Sequence, residues 1–328
     1  MVATLAQAAS AAYYLESQRS FRHPNEYYTA GEEPDGVWFN PAGLLGLENG
    51  DKVDSGDFHR LYAGFAPDGA TRLTRNAGSE TRSPGVDMTF SADKSVSALW
   101  AVADPDLRSR IEEAHNDAAR VALEETVFRY CAYTRIRDRE GRIGVLPADI
   151  SVAMFQHGTS RENDPQLHTH CVIFNAARTH EDGKWRAMHQ YPVYSWAKAA
   201  GAVYRNALAW NLRERLGIRM EQYGPNGGFT RIEGMPEDLQ VFWSKRRKAI
   251  VAKAGELGIP SRGNASRMAG VNKLTRAGKS HDNDPEVRHR RWMGEAEGLV
   301  EREELIAAVP GHDLMHCPGE IAHLADPL

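Results

Sequence analysis

Three histidines carry the clearest chemical signal in this chain. His168 and His170 stand two residues apart in QLHTHCVIFNAA, and on a strand that spacing puts both imidazoles on one face with Thr169 on the other. His157 lies eleven residues upstream of His168, at the end of another strand-like run, SVAMFQH. If the two runs pair antiparallel across the polar turn SRENDP, all three rings reach one point in space. Three neutral imidazoles would then hold a divalent cation and leave positions open for a substrate oxygen, the arrangement of a catalytic site rather than a closed structural one. Spacing alone leaves a plainer reading open, in which an HxH pair is ordinary packing.

Other residues offer complementary chemistry. Two tyrosine pairs, Tyr13-Tyr14 and Tyr27-Tyr28, lie near the amino terminus. By residue type alone, adjacent tyrosines read as packing. The net charge of −4 argues against a protein that coats nucleic acid indiscriminately. That average hides an asymmetry, because Ser244 to Lys279 holds ten basic residues and a single acid, Glu256. Such a segment reads as a footprint for a polyanion. Arg72 and Arg75 in TRLTRNAG, Lys94 at a helix start and Arg161 beside His157 are further candidates for phosphate contacts, against the reading of each as a solvated surface charge. The GKS at 278–280 is not a nucleotide-binding loop, since position 273, where the first glycine belongs, is a lysine and no strand precedes it.

The elements that must position these groups follow from periodicity. Residues 3 to 16 read as a helix of small residues, and 31 to 56 as a loop rich in Gly, Pro and Asp. Val86, Met88 and Phe90 alternate as in a strand, and Ser91 to Asp93 offers a cap to a helix starting near Lys94. A long amphipathic helix is expected from Pro105 to about Tyr130, strands over about 132–137 and 143–146, and a helix over 193–216 ended by Gly217. Helices broken by Gly and Pro carry the basic segment beyond about 236. With 328 residues and 41% hydrophobic content, the chain can bury one large core or two ordinary ones. Three widely spaced cysteines without a CxxC pair argue against disulfides and a cysteine zinc site. The first residues do not read as a signal peptide and no run of eighteen apolar residues is present in the sequence, so the protein is expected to be soluble and cytoplasmic, without membrane insertion.

Taken together, FQHGTSRENDPQLHTHCVIFN, GVDMTFSADKSVS, the two tyrosine pairs, GAVYRNALAW and KLTRAGKS resemble the F-type (MOBF, TraI/TrwC-like) conjugative relaxases of the HUH endonuclease superfamily, over roughly residues 1 to 290. One departure is Asp93, where the family usually has proline; Asp is itself a good helix cap. The resemblance implies an α+β HUH relaxase fold with a central antiparallel five-stranded sheet flanked by helices. It also implies a catalytic core over 1–235, basic helical fingers over 236–300 that clasp single-stranded DNA, and a loosely ordered tail over 301–328. The implied activity is site- and strand-specific nicking and strand transfer at a plasmid origin of transfer during conjugation, through a 5′-phosphotyrosyl intermediate.

By match to the family, Tyr13 makes the first cut and Tyr27 accepts the second transfer, with Tyr14 and Tyr28 packing or positioning. His157, His168 and His170 hold a divalent ion, Mg or Mn in the first place, with Zn, Ni or Co also accepted by three imidazoles. Asp87 hydrogen-bonds a metal histidine or, with less weight, assists the tyrosine. DNA contacts fall to Arg72, Arg75, Lys94, Arg161, Lys245, Arg246, Arg247, Lys248, Lys273, Arg276 and Lys279. Implied partners are single-stranded or hairpin origin DNA, accessory relaxosome proteins and the coupling protein of a type IV secretion system, with translocation to the recipient while bound to DNA. Family members commonly continue into a helicase, which makes this chain read as the relaxase part of a longer protein. Competing readings are a rolling-circle initiator or transposase of the same class, a metal-containing DNA-binding module without catalysis, and a three-histidine hydrolase of small substrates. In the first of these the histidine motif usually precedes the tyrosine.

Overall fold

The computed structural model describes residues 3–8, 34–137, 140–260, 265–275, 285–301, 305 and 309. Strands β1 (Ala3–Gln7), β2 (Val37–Phe39), β3 (Gly85–Ser91), β4 (Tyr133–Arg137), β5 (Ile143–Thr159), β6 (Pro165–Thr179) and β7 (Trp185–Arg186) form one antiparallel sheet. Its central path is β1-β3-β6-β5-β2, the expected five strands, with β4 added to β5 and β7 to β6. β5 is long enough to serve two partners: Ile143 to Pro147 pair with β4, and from Ala148 onward the strand pairs with β6. Within the β5–β6 ladder a register shift falls between Ile150 and Val152, where an irregular residue lets a strand bend.

The helix expected over residues 3 to 16 is not formed where it can be seen. Ala3–Gln7 is strand β1, paired from Ala3↔Phe90 to Gln7↔Val86. The reason is tertiary: β3 offers an open ladder of backbone groups, Leu5 packs against the core, and these contacts outweigh the weak helix preference of alanine-rich sequence. Residues 9–33 lie outside the described part. The stretch read as loop contains β2, which pairs Val37 with Met154 at the far edge.

Alternation along the strands sorts the two faces. Val86, Met88 and Phe90 join Cys171 and Ile173 in the main core, under α2 (Lys94–Val102), α3 (Pro105–Ala122) and α4 (Tyr191–Leu216). On the other face Ala153, Phe155, Val172 and Phe174 pack with Trp38, Phe58 and Leu61, the last two from α1 (Ser55–Ala63). Phe58 anchors that layer with its ring edge-on to Phe155 at 5.2 Å and Phe174 at 5.5 Å. β3 approaches β6 so closely at Gly85 that an added Cβ would lie 2.2 Å from the Ile173 carbonyl oxygen, so only glycine fits.

Caps behave as the sequence predicts. Asp93 accepts a hydrogen bond from the Ser95 backbone N–H at 3.0 Å and starts α2, and Asp104 accepts from Leu107 N–H at 2.8 Å to start α3. α3 runs on into a π-helical turn over Leu123–Phe128. Gly217, at φ +65°, ends α4. Beyond a small hairpin of β8 (Met220–Tyr223) and β9 (Phe229–Ile232) come α5 (Glu237–Phe242), α6 (Lys245–Glu256), α7 (Ala265–Leu274) and α8 (Pro285–Glu297). No helix among the described residues is long and apolar enough to cross a membrane.

Candidate metal centre and active site

Pairing of β5 with β6 sets His157 directly opposite His168, and His170 follows two residues on along the same face. The three rings meet edge to face, with centroids 5.0 to 5.4 Å apart. One nitrogen from each ring lies within 4.8 Å of the other two. His157 and His170 are buried, and His168 is half-buried. Burial pushes the His168 imidazole down to about 4, with the neighbouring His170 adding repulsion, so the ring is neutral at ordinary pH.

Hydrogen bonding decides which nitrogen of two rings faces the cluster. The Nδ1 of His168 donates to the Gln166 carbonyl at 2.8 Å, since a carbonyl can only accept. The Nδ1 of His170 lies 2.8 Å from Oδ2 of Asp87, itself only 5% exposed. Each ring is thereby held with Nδ1 protonated and its Nε2 lone pair available. Three imidazole nitrogens within 4.8 Å of one another and a carboxylate behind one ring are a donor set that suits a divalent cation, so the residues present fit a metal ion.

Asp87 reaches His170 because β3 pairs with β6, placing Thr89 opposite His170 and Ser91 opposite His168. Thr89 was not singled out from sequence, yet its hydroxyl lies 3.0 Å from His170 Nδ1 and 3.2 Å from Asp87 Oδ1. The available signal was its position two residues beyond Asp87 on the same face. Tyr62 of α1 also went unnoticed; burial, reinforced by the Asp87 carboxylate, raises its hydroxyl to about 12 and keeps it protonated.

The profile of the TrwC relaxase family matches residues 7–299. The chain belongs to this family. Among relatives of the TrwC relaxase family, the Multifunctional conjugation protein TraI of Escherichia coli is 33% identical over 279 residues, covering 82% of this chain and 15% of its own length. The chain thus spans about one seventh of the length of that relative. A metal-bound structure of the conjugative relaxase TrwC in complex with oriT DNA is 27% identical, with a TM-score of 0.75 over 91% of this chain and 99% of that one. TrwC complexed with a 27-mer DNA comprising the recognition hairpin and the cleavage site matches with 27% identity and a TM-score of 0.73, over 91% and 99% of the two chains. The metal-bound relative and the triad together support a metal ion, without saying which.

The remaining expected residues of this relaxase chain are distributed unevenly. Lys94 turns its amine onto the Pro165 carbonyl at 2.8 Å, at the turn of the histidine hairpin, and burial brings it down to about 8. Arg161 stands in that same turn. Lys245 lies 3.2 Å from Asp164 and sits over the Phe242 ring at 4.9 Å. Arg246 donates to the Asn272 carbonyl at 2.7 Å and to the Thr275 carbonyl, fastening α6 to α7. Arg247 and Lys248 are exposed on α6, and Arg72 and Arg75 on the loop after α1. Tyr13, Tyr14, Tyr27, Tyr28, Arg276 and Lys279 lie outside the described residues, as does the side chain of Lys273.

Proposed function

We propose that this chain nicks one strand of DNA at an origin of transfer and retains the cut end covalently on Tyr13. The observation that carries the reading is the meeting of His157, His168 and His170 within 4.8 Å, with Asp87 bonded behind His170. His157, His168 and His170 would hold the divalent ion, which when bound neutralises and orients the non-bridging oxygens of a phosphodiester. Asp87 keeps the proton of His170 on Nδ1 and so keeps Nε2 turned to the site. The Tyr13 phenol supplies the attacking oxygen: a bond forms from it to phosphorus, the bond from phosphorus to the 3′ oxygen breaks, and that oxygen leaves as a hydroxyl. The phenolic proton passes to solvent and the leaving oxygen takes one up. Tyr27 receives the second transfer.

Topology supports the placement of Tyr13. β1 ends at Gln7, opposite Val86 and one residue along β3 from Asp87. Tyr13 follows six residues later, a tether of at most about 20 Å. The basic segment over 236–300, with Arg247 and Lys248 exposed, serves as the clasp for single-stranded DNA, while Lys245 and Arg246 hold the clasp together. Magnesium or manganese is the proposed ion, and origin DNA in single-stranded or hairpin form the partner, in the cytoplasm.

Incubating the protein with a labelled single-stranded origin oligonucleotide and Mg2+ or Mn2+ tests this reading. An adduct that survives SDS and disappears in Tyr13→Phe is expected. Binding without any adduct would overturn it in favour of a non-catalytic module.

A further inference from the structure

Behind the histidine face lies a second polar cluster that the chemistry above does not use. Thr169 sits between His168 and His170, and its side chain enters the opposite, fully buried face of β6. Its hydroxyl donates to Asn116 Oδ1 at 3.0 Å and accepts from His115 Nε2 at 2.9 Å. The other nitrogen of His115 accepts from the Tyr204 hydroxyl at 2.7 Å. Asn116 closes the set by donating from Nδ2 to Gln156 Oε1 at 2.6 Å. Gln156 is paired across the ladder with Thr169, just as His157 is paired with His168.

The placement is systematic. Each strand that carries a metal histidine on its front carries, at the adjoining residue, a polar side chain tied from behind to one turn of α3. The donors follow one another from Tyr204 through His115 and Thr169 to Asn116 and Gln156, and burial holds His115 neutral by pulling it down to about 3. Five polar side chains at the junction of α3, α4, β5 and β6 are a poor way to gain stability, because well-packed apolar residues there would hold the fold at least as firmly. What the apolar alternative lacks is direction. Hydrogen bonds of fixed length from one rigid helix to two neighbouring strands set the separation and rotation of those strands, and hence of the rings on their front.

We propose that Thr169, Asn116 and His115 are positioning residues that set the spacing of the three metal histidines from the reverse side of the sheet. The proposal rests on the reading of His157, His168 and His170 as the metal ligands. It assigns no contact with substrate to the set.

The test replaces Thr169 by valine, which keeps the shape and removes the hydroxyl, and by serine, which restores it. Co2+ serves as the probe, its affinity read by calorimetry and its coordination by visible absorption, beside the affinity for a fluorescent single-stranded oligonucleotide in the absence of metal. Thr169→Val is expected to weaken Co2+ binding about 10- to 100-fold and alter its spectrum, while DNA affinity stays within about twofold and Thr169→Ser recovers most of the loss. Wild-type Co2+ affinity in Thr169→Val overturns the proposal, and so does equal weakening by valine and serine. If Thr169→Val does not fold by circular dichroism, Tyr204→Phe carries the test: it removes one hydroxyl at the far end of the chain, a severalfold loss of Co2+ affinity is expected, and unchanged affinity overturns the proposal. Failure of the wild-type protein to bind Co2+ would instead sink the reading of the triad itself, so the two failures are separable.

Discussion

The histidine hairpin and the basic carboxy-terminal segment are both built around clusters of one kind of side chain, but they are held in opposite ways. His157, His168 and His170 sit on two long strands at the middle of the sheet, flanked by β3 on one side and backed by three helices. The basic segment is a series of short helices in which part of the charge is taken up by partners within the protein: Lys245 pairs with Asp164, and Arg246 with the Asn272 carbonyl of α7. A site for chemistry needs few groups at fixed distances, whereas a surface for binding a polyanion needs many groups at approximate ones. The first should break at single residues and the second should wear down gradually.

The largest break is expected at the hairpin. His168→Ala should reduce adduct formation by about a thousandfold or more, while the affinity for single-stranded DNA, read by anisotropy, stays within a few-fold. Equal loss of both would erase the contrast. Asp87→Asn should weaken metal binding by about 10- to 100-fold, since the carboxylate that orders His170 becomes an amide of lower basicity. A calorimetric titration with Mn2+ measures it.

On the basic side, the double change Arg247→Ala and Lys248→Ala should lower DNA affinity severalfold and flatten its dependence on salt, by about 1.4 in logarithmic slope if both residues meet phosphates of a single strand. Arg246→Ala should act differently from that pair, lowering the unfolding temperature of α6 and α7 in preference to the salt slope, because its partners are carbonyls of the protein. The smallest effect is on stability with pH. His168, His115 and His289 are all held below the ordinary histidine value by burial, to about 4, 3 and 3. The unfolded chain therefore takes up these protons first as pH falls. Melting temperature of the metal-free protein should decline from about pH 6.5 towards pH 4, and His115→Gln should lessen that decline.

Much of this contrast was legible in the sequence, and the reasons differ by element. HxH spacing and the strand period placed His168 and His170 correctly because a strand has only two faces, and the turn sequence Ser160 to Pro165 announced the antiparallel return that brings in His157. Asp93 and Gly217 gave away helix ends through local hydrogen-bond and backbone chemistry. β1 was misread because five residues, Ala3 to Gln7, are too few to carry a periodic signal, and the partner strand that decides their conformation lies some eighty residues away. The set behind Thr169 was invisible for the same reason: His115 and Tyr204 are ordinary members of helical patterns until the sheet brings Thr169 against them. In the basic run, Lys245 and Arg246, which have partners within the protein, could not be told from Arg247 and Lys248 by charge alone.

The turn that joins the two histidine strands has a further consequence. Asn163 offers its carbonyl to the Arg291 guanidinium and the Trp292 indole, both at 3.0 Å; Asp164 receives the first N–H of α6 at 2.8 Å; Pro165 receives Lys94. Three separate helices thus converge on three successive residues. A connection of this kind has no slack, so adding or removing even one residue there should disrupt the histidine hairpin and displace the helices of the basic segment together.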